Sequence, residues 1–252
     1  MRSVYTPAAG FAMLAVSLLI LGGCRSAPKD PLSAAQLGEI HQGFSAALEP
    51  MIRAANRDQL DGSVEMKVVI DSDDQLLECK GKPVTGAPGL VEVVEQACWT
   101  TLFPPLPRQA FAKDDRARFR MPITVEMNLG QDTPQFAYYQ AVVFPMFAQN
   151  QYFWDNGVSG LVIGSVGEAS FRYVANTEGR VLSCTVRIEP TETRPKAFSR
   201  SPSLAANLEK ACMRMNLARM PGFVAASNGL ATGTVWTTYS PWRKRAPRAA
   251  AW

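Results

Sequence analysis

GSVEMKVVIDSDDQLLEC, from Gly62 to Cys79, returns in the second half of the chain as GEASFRYVANTEGRVLSC, from Gly167 to Cys184. The two stretches align without a gap: Gly62 falls on Gly167, Asp71 on Asn176, Leu77 on Leu182 and Cys79 on Cys184. Each is followed by a polar loop and an apolar-striped helix with a second cysteine, Cys98 or Cys212. A proline-bearing segment then closes each copy, FPPLP from Phe103 and ARMPG from Ala218. An internal repeat decides the architecture before any single element does. Two copies are too few for a solenoid and predict a tandem pair of small domains.

Working outward, Val64, Met66, Val68 and Ile70 alternate with Glu65 and Lys67, the period of a half-buried strand. Asp71 to Asp74 form a turn, and Leu76 to Cys79 return as the hairpin partner. In the second copy Ala169, Phe171 and Tyr173 alternate, Asn176 to Gly179 turn, and Leu182, Cys184, Val186 and Ile188 share one strand face. Val91, Val94, Cys98 and Leu102 make one helical stripe; Leu204, Leu208, Cys212 and Met215 make another. Ser201-Pro202 is a helix start, with serine as the cap and proline in the first turn. A last strand ends each copy, within Phe119–Leu129 and within Gly233–Ser240. Each domain therefore reads α-β-β-α-β: the fold class is α+β, an antiparallel sheet with helices on one face.

Ser33 can cap a helix to about Leu48, with Leu37, Ile40, Phe44 and Leu48 on one face, and Pro50 starts a second short helix to Asn56. His41, the only histidine, lies beside that stripe. The second copy echoes this entry in Phe144-Pro145-Met146-Phe147 and then inserts residues that include Tyr152, Phe153 and Trp154. Those three aromatics suit a core, an interdomain contact or a binding surface. The domains span 33–130 and 135–242, divided near GQDTPQ, and 243–252 forms a basic tail with Arg243, Lys244, Arg245 and Arg248. Such a tail is either simply solvated or in contact with anionic lipid or cell-wall polymer.

Residues 1–23 read as a secretory signal: Arg2 is its only charge, and the apolar run from Phe11 to Leu21 is short for a membrane span. Leu21-Gly22-Gly23-Cys24 resembles the bacterial lipoprotein cleavage box. That resemblance implies a lipid on Cys24, which anchors the protein without a spanning helix, and 24–32 as a linker. Arg25 stands where an aspartate would mark inner-membrane retention, so the expected location is the outer membrane, facing the periplasm. Four cysteines remain, and in an exported chain an even remainder suggests disulfides. The repeat selects the pairing, Cys79 with Cys98 and Cys184 with Cys212, because each copy then closes its own bridge. No CxxC pair supports a zinc site.

The order of strand, Asp/Asn turn, strand, loop, helix, proline segment and closing strand is similar to the TonB C-terminal domain, its TolA relatives and the gliding-motility TonB-like domains. VVEQACWTTLFPPLP through FRMPITVEMNL carries the resemblance in the first copy; VLSC, LEKACMRM and ARMPGF carry it in the second. The family implies binding through an exposed sheet edge that pairs with an extended peptide. The closing strands are the candidate edges: Ile123, Val125 and Met127, and Val235, Trp236 and Tyr239. The alternative is that the chain caps these edges itself. Energy-transducing members keep an uncleaved membrane helix and a long proline-rich linker. This chain has a lipobox and a short linker instead, so the resemblance implies the binding module without the motor.

The formal net charge of +4 is too small to argue for nucleic acid. Gly157-Val158-Ser159-Gly160 and Gly164-Ser165-Val166-Gly167 do not match the nucleophile elbow. The sequence contains no phosphate-binding glycine loop and no H-E-x-x-H motif. Asp71, Asp73 and Asp74 lack the glycine and distal glutamate of a calcium loop. The sequence thus predicts a non-enzymatic envelope lipoprotein without metal or cofactor, an adaptor or scaffold for an envelope protein partner. The alternatives are a structural protein touching peptidoglycan or lipid through its basic tail, and a TonB-type energy-transduction component.

Overall fold

The computed structural model describes residues 32–127, 130 and 132–245. The expectations for the signal, Cys24 and most of the linker and tail lie outside them. Among the described residues no helix is long and apolar enough to cross a membrane.

Helix α1 (Ala34–Ala55) opens on a capping box: the Ser33 hydroxyl accepts from the Gln36 N–H, and the Gln36 side chain accepts from the Ser33 N–H. It runs unbroken through Pro50, where the sequence predicts a break. A proline inside a helix costs about 3 kcal/mol. Phe44, Leu48, Ile52 and Ala55 form one buried stripe on both sides of Pro50. Burying each large side chain contributes roughly 1.5–3 kcal/mol, so packing offsets the proline.

Strands β1 (Gly62–Asp71), β2 (Leu76–Gly86) and β3 (Arg116–Val125) form an antiparallel sheet in the order β2-β1-β3. Helix α2 (Leu90–Thr100) packs on β2, and its Cys98 is bonded to Cys79. The Asp71 carboxylate accepts from the Asp73 and Gln75 N–H groups, so the acidic run is a turn.

The second half begins with α3 (Pro134–Tyr138) and α4 (Phe144–Phe153). A π-helical turn, Tyr139–Val143, joins them, and a second one, Trp154–Val158, follows. Strands β4 (Gly167–Asn176), β5 (Val181–Glu189) and β6 (Leu230–Tyr239) then repeat the topology as β5-β4-β6. Helix α5 (Pro202–Met213) starts at Ser201, whose hydroxyl accepts from the Leu204 N–H, and its Cys212 is bonded to Cys184.

Both hairpins carry a bulge at the same repeat position: Ile70 faces Leu76 and Val69 faces Glu78, while Ala175 faces Val181 and Val174 faces Ser183. This corrects one reading of the periodicity. Val181 takes the inward place, and Leu182, expected on the face of Cys184, is 50% exposed.

The described residues belong to one compact unit. One apolar cluster joins Phe44, Met66, Val94 and Phe119 of the first half to Phe144, Phe147, Val166 and Trp242 of the second. A second cluster holds Phe153, Trp154, Phe171, Leu208 and Tyr239. Phe153 is fully buried, its ring centroid 4.9 Å from that of Phe171, and Trp154 is buried as well, so these two inserted aromatics are core, with Tyr152 partly buried against them. Buried Arg194 ties the halves together: it donates to the Asp74 carbonyl at 2.8 Å, approaches the Asp74 carboxylate at 3.3 Å and lies over the Trp242 ring.

Candidate functional site

Each sheet has two outer edges, β2 and β3 in the first and β5 and β6 in the second. An open edge is a row of unpaired backbone groups that another strand can join. Two of the edges are capped at one backbone group each, by the same contact. The Glu95 carboxylate of α2 accepts from the Gly81 N–H at 2.7 Å, and the Glu209 carboxylate of α5 accepts from the Val186 N–H at 3.2 Å. Both glutamates sit on the helix that carries the bridging cysteine, so the cystine also holds the seal in place.

The β6 edge is closed by other means. The Asn150 side chain of α4 donates to the Trp236 carbonyl at 2.9 Å, and Arg243 donates to the Thr238 carbonyl at 2.6 Å. Arg243 is 2% exposed. Its other contacts are the Asn150 and Gln151 side-chain oxygens and the Trp154 ring face, 4.4 Å from the centroid. Burial lowers the pKa of its guanidinium, and Asp155 opposes that shift. This corrects the reading of Arg243 as the first residue of a basic tail: it belongs to the folded unit. Lys244 donates to the Leu161 carbonyl.

The remaining edge, β3, is open. Its pairing with β1 runs in the register of β6 with β4: Pro122 and Thr124 oppose Glu65 and Ser63 as Trp236 and Thr238 oppose Ser170 and Glu168. The outward backbone groups of β3 are therefore those of Arg118, Arg120, Pro122 and Thr124. Among the described residues no side chain or loop bonds to them. Pro122 offers only a carbonyl, which removes one donor from the row.

Beside this edge runs a groove of about 210 Å³ between α1 and residues 122–127. Buried Leu48 and Ile52 of α1 and Val125 and Met127 form its floor, and the surface it presents is mixed polar and apolar. Ser45, Glu49, Arg53 and Glu126 supply its rim, where Arg53 and Glu49 pair at 2.8 Å. Hydrogen bonding to Glu49 raises the pKa of Arg53 against a smaller lowering by burial. An extended peptide laid here meets backbone donors and acceptors on one side and the mixed lining of the groove on the other.

The predicted edge residues thus separate. Ile123 and Val125 lie on β3, whereas Met127 lies past its end, buried, with its N–H on the Asp61 carboxylate at 2.6 Å. Val235 and Tyr239 point into the second core, and Trp236 alone of that set is exposed. Reasoning from sequence missed α1 as the far wall of the groove, although its stripe at Leu48 and Ile52 was the available signal. It also missed Asn150 and Glu95, whose roles depend on contacts distant in sequence. His41 is exposed on α1, edge-on to Phe119. Among the described residues no three His, Cys, Asp or Glu side chains gather as a metal site. Comparison with protein-family models, with curated proteins and with solved structures gives no match.

Proposed function

We propose that the chain is a non-enzymatic lipoprotein with two tandem TonB-C-like domains, anchored by a lipid on Cys24 to the outer membrane and facing the periplasm. It acts as an adaptor that holds an envelope protein partner by its first domain. One observation carries this reading: among the described residues three sheet edges are met by side chains of the chain itself, and the β3 edge is met by none and lies beside a groove. Sealing edges prevents promiscuous pairing. An edge spared from sealing, with a wall for alternate side chains, suits strand addition by an extended partner segment. The second domain then stabilises the assembly, since its own closing strand is occupied.

The test is site-specific photo-crosslinking in cells from position 126, on the rim of the groove, with position 185 on the outer face of the second sheet as the control. Binding at the β3 edge gives one defined adduct from 126 and none from 185. Thr124→Pro removes an outward N–H without touching the core and abolishes the adduct. An undiminished adduct in a folded Thr124→Pro protein overturns the edge reading. Cys24→Ala moves the protein from the membrane to the soluble fraction; retention at the membrane overturns the anchor.

A further inference from the structure

The open β3 edge presents side chains as well as backbone groups. Burial alternates along the strand: Ala117, Phe119 and Met121 face the core, while Arg116, Arg118 and Arg120 are exposed on the outer face. Successive outer positions of the open edge thus carry guanidinium groups, and β3 itself carries no carboxylate. Two of the arginines meet carboxylates of the chain. Glu65 of β1 approaches Arg120 at 3.4 Å, and Asp114 of the preceding loop pairs with Arg118. The Arg120 side chain is nonetheless 76% exposed. Exposed ion pairs of this kind contribute little and exchange readily for other partners. Arg116 has no ion pair among the described residues. On the rest of this face Lys67, Lys80 and Lys82 are matched one for one by Glu65, Glu78 and Asp71, so the excess positive charge lies on the edge strand. Glu126 lies past the end of β3, with Pro122 and Thr124 between it and the arginines.

A strand added at β3 sends its own side chains alternately to the two faces of the sheet. Those on the outer face stand directly across from Arg116, Arg118 and Arg120, about 5 Å away. Opposite charges in that relation stabilise a pairing, and like charges destabilise it. A second copy of this chain, pairing through the same stretch, would set arginine against arginine. The row therefore discourages self-pairing, which is the ordinary use of charge on an open edge. The same row favours a strand whose outer positions are carboxylates, so repulsion and attraction together define the partner. Arginine suits this task better than lysine, because its planar fork meets a carboxylate through two N–H groups. Glu65 reaches Arg120 from β1, the side away from the free edge. On the inner face the added strand meets the groove, where Glu49 and Arg53 pair with each other and select no charge.

We infer that the partner segment bound at the β3 edge is acidic, an extended stretch with carboxylates at alternate positions set against Arg116, Arg118 and Arg120. This rests on the edge-binding reading proposed above and adds to it the chemistry of the partner.

The test is titration of the full chain with three acetylated eight-residue peptides, in which threonine alternates with glutamate, with lysine or with serine, at low and at high salt. The glutamate peptide is expected to bind about tenfold or more tighter than the serine peptide, with the lysine peptide weakest. High salt narrows that preference. Arg118→Gln and Arg120→Gln together lower affinity for the glutamate peptide by about three- to tenfold and leave the serine peptide unaffected. Both side chains are exposed, so the double variant keeps the fold. Thr124→Pro weakens all three peptides alike. Equal binding of the three peptides, weakened by Thr124→Pro, overturns the acidic partner and leaves the edge reading standing. A glutamate preference untouched by Thr124→Pro overturns it too, since the attraction then acts without strand addition. Absence of binding by every peptide also overturns it, and the adduct from position 126 then decides whether the edge reading falls with it.

Discussion

Glu168 sits opposite Glu189 across neighbouring strands, and its pKa is raised first by burial and then by Glu189 and Glu192. The folded chain therefore holds this proton more tightly than the unfolded chain does. The stabilisation is complete below the unfolded carboxylate value, about 4.3, and is lost as pH rises through the folded value. Glu168→Gln keeps the group neutral at every pH. Its gain in stability over the native chain is expected to be greatest near neutrality and to vanish in acid. Urea midpoints across that range read the difference, and a gain independent of pH would refute the assignment. Gly179 is decided by geometry. Its φ of +77° lies in the left-handed region, and a Cβ there would stand 2.0 Å from the Ala218 nitrogen. Gly179→Ala therefore moves backbone, with an expected cost of about 3 kcal/mol in chemical denaturation.

At the scale of elements, each cystine joins an edge strand to the helix that covers it. Replacing Cys184 and Cys212 together by alanine releases a bridge of sequence separation 28. The chain-entropy account puts the loss at about 3–4 kcal/mol, measurable as a lower urea midpoint. The Glu209 seal on β5 loosens with it, and faster hydrogen exchange at the Val186 N–H reads that effect. The strands, α2, α5 and both cystines were legible in the sequence because they rest on local alternation, helical spacing and the repeat. Other features were hidden for physical reasons. The bulge exposes Leu182 although its apolar type reads as inward. Pro50 reads as a helix stop, yet the stripe of Phe44, Leu48, Ile52 and Ala55 carries α1 past it. Arg243 reads as solvated because its partners, Asn150, Gln151 and Trp154, lie far back in the chain. The open edge was legible as a strand, but its openness was not, since that is a property of the seals on the other edges.

Over the whole molecule, the halves share structure through Trp242, which follows the last strand and is 2% exposed within the cluster of the first half. Buried Arg194 over its ring adds an ion pair with the partly exposed Asp74. Trp242→Ala leaves a large void at this junction, with an expected cost of about 3–4 kcal/mol. Calorimetry should give one transition for the native chain and two for the variant, because the cluster that couples the halves is broken. A single transition of unchanged width would show that other contacts suffice. The position of Trp242 also bears on how the protein is made. A nascent chain exposes the first sheet and its helices well before the ribosome reaches residue 242. The half that comes first in the chain therefore waits, with part of its core unfilled, for a side chain that lies beyond the last strand of the second half. Its folding is completed after synthesis, by the whole chain together, and not domain by domain in the order of translation.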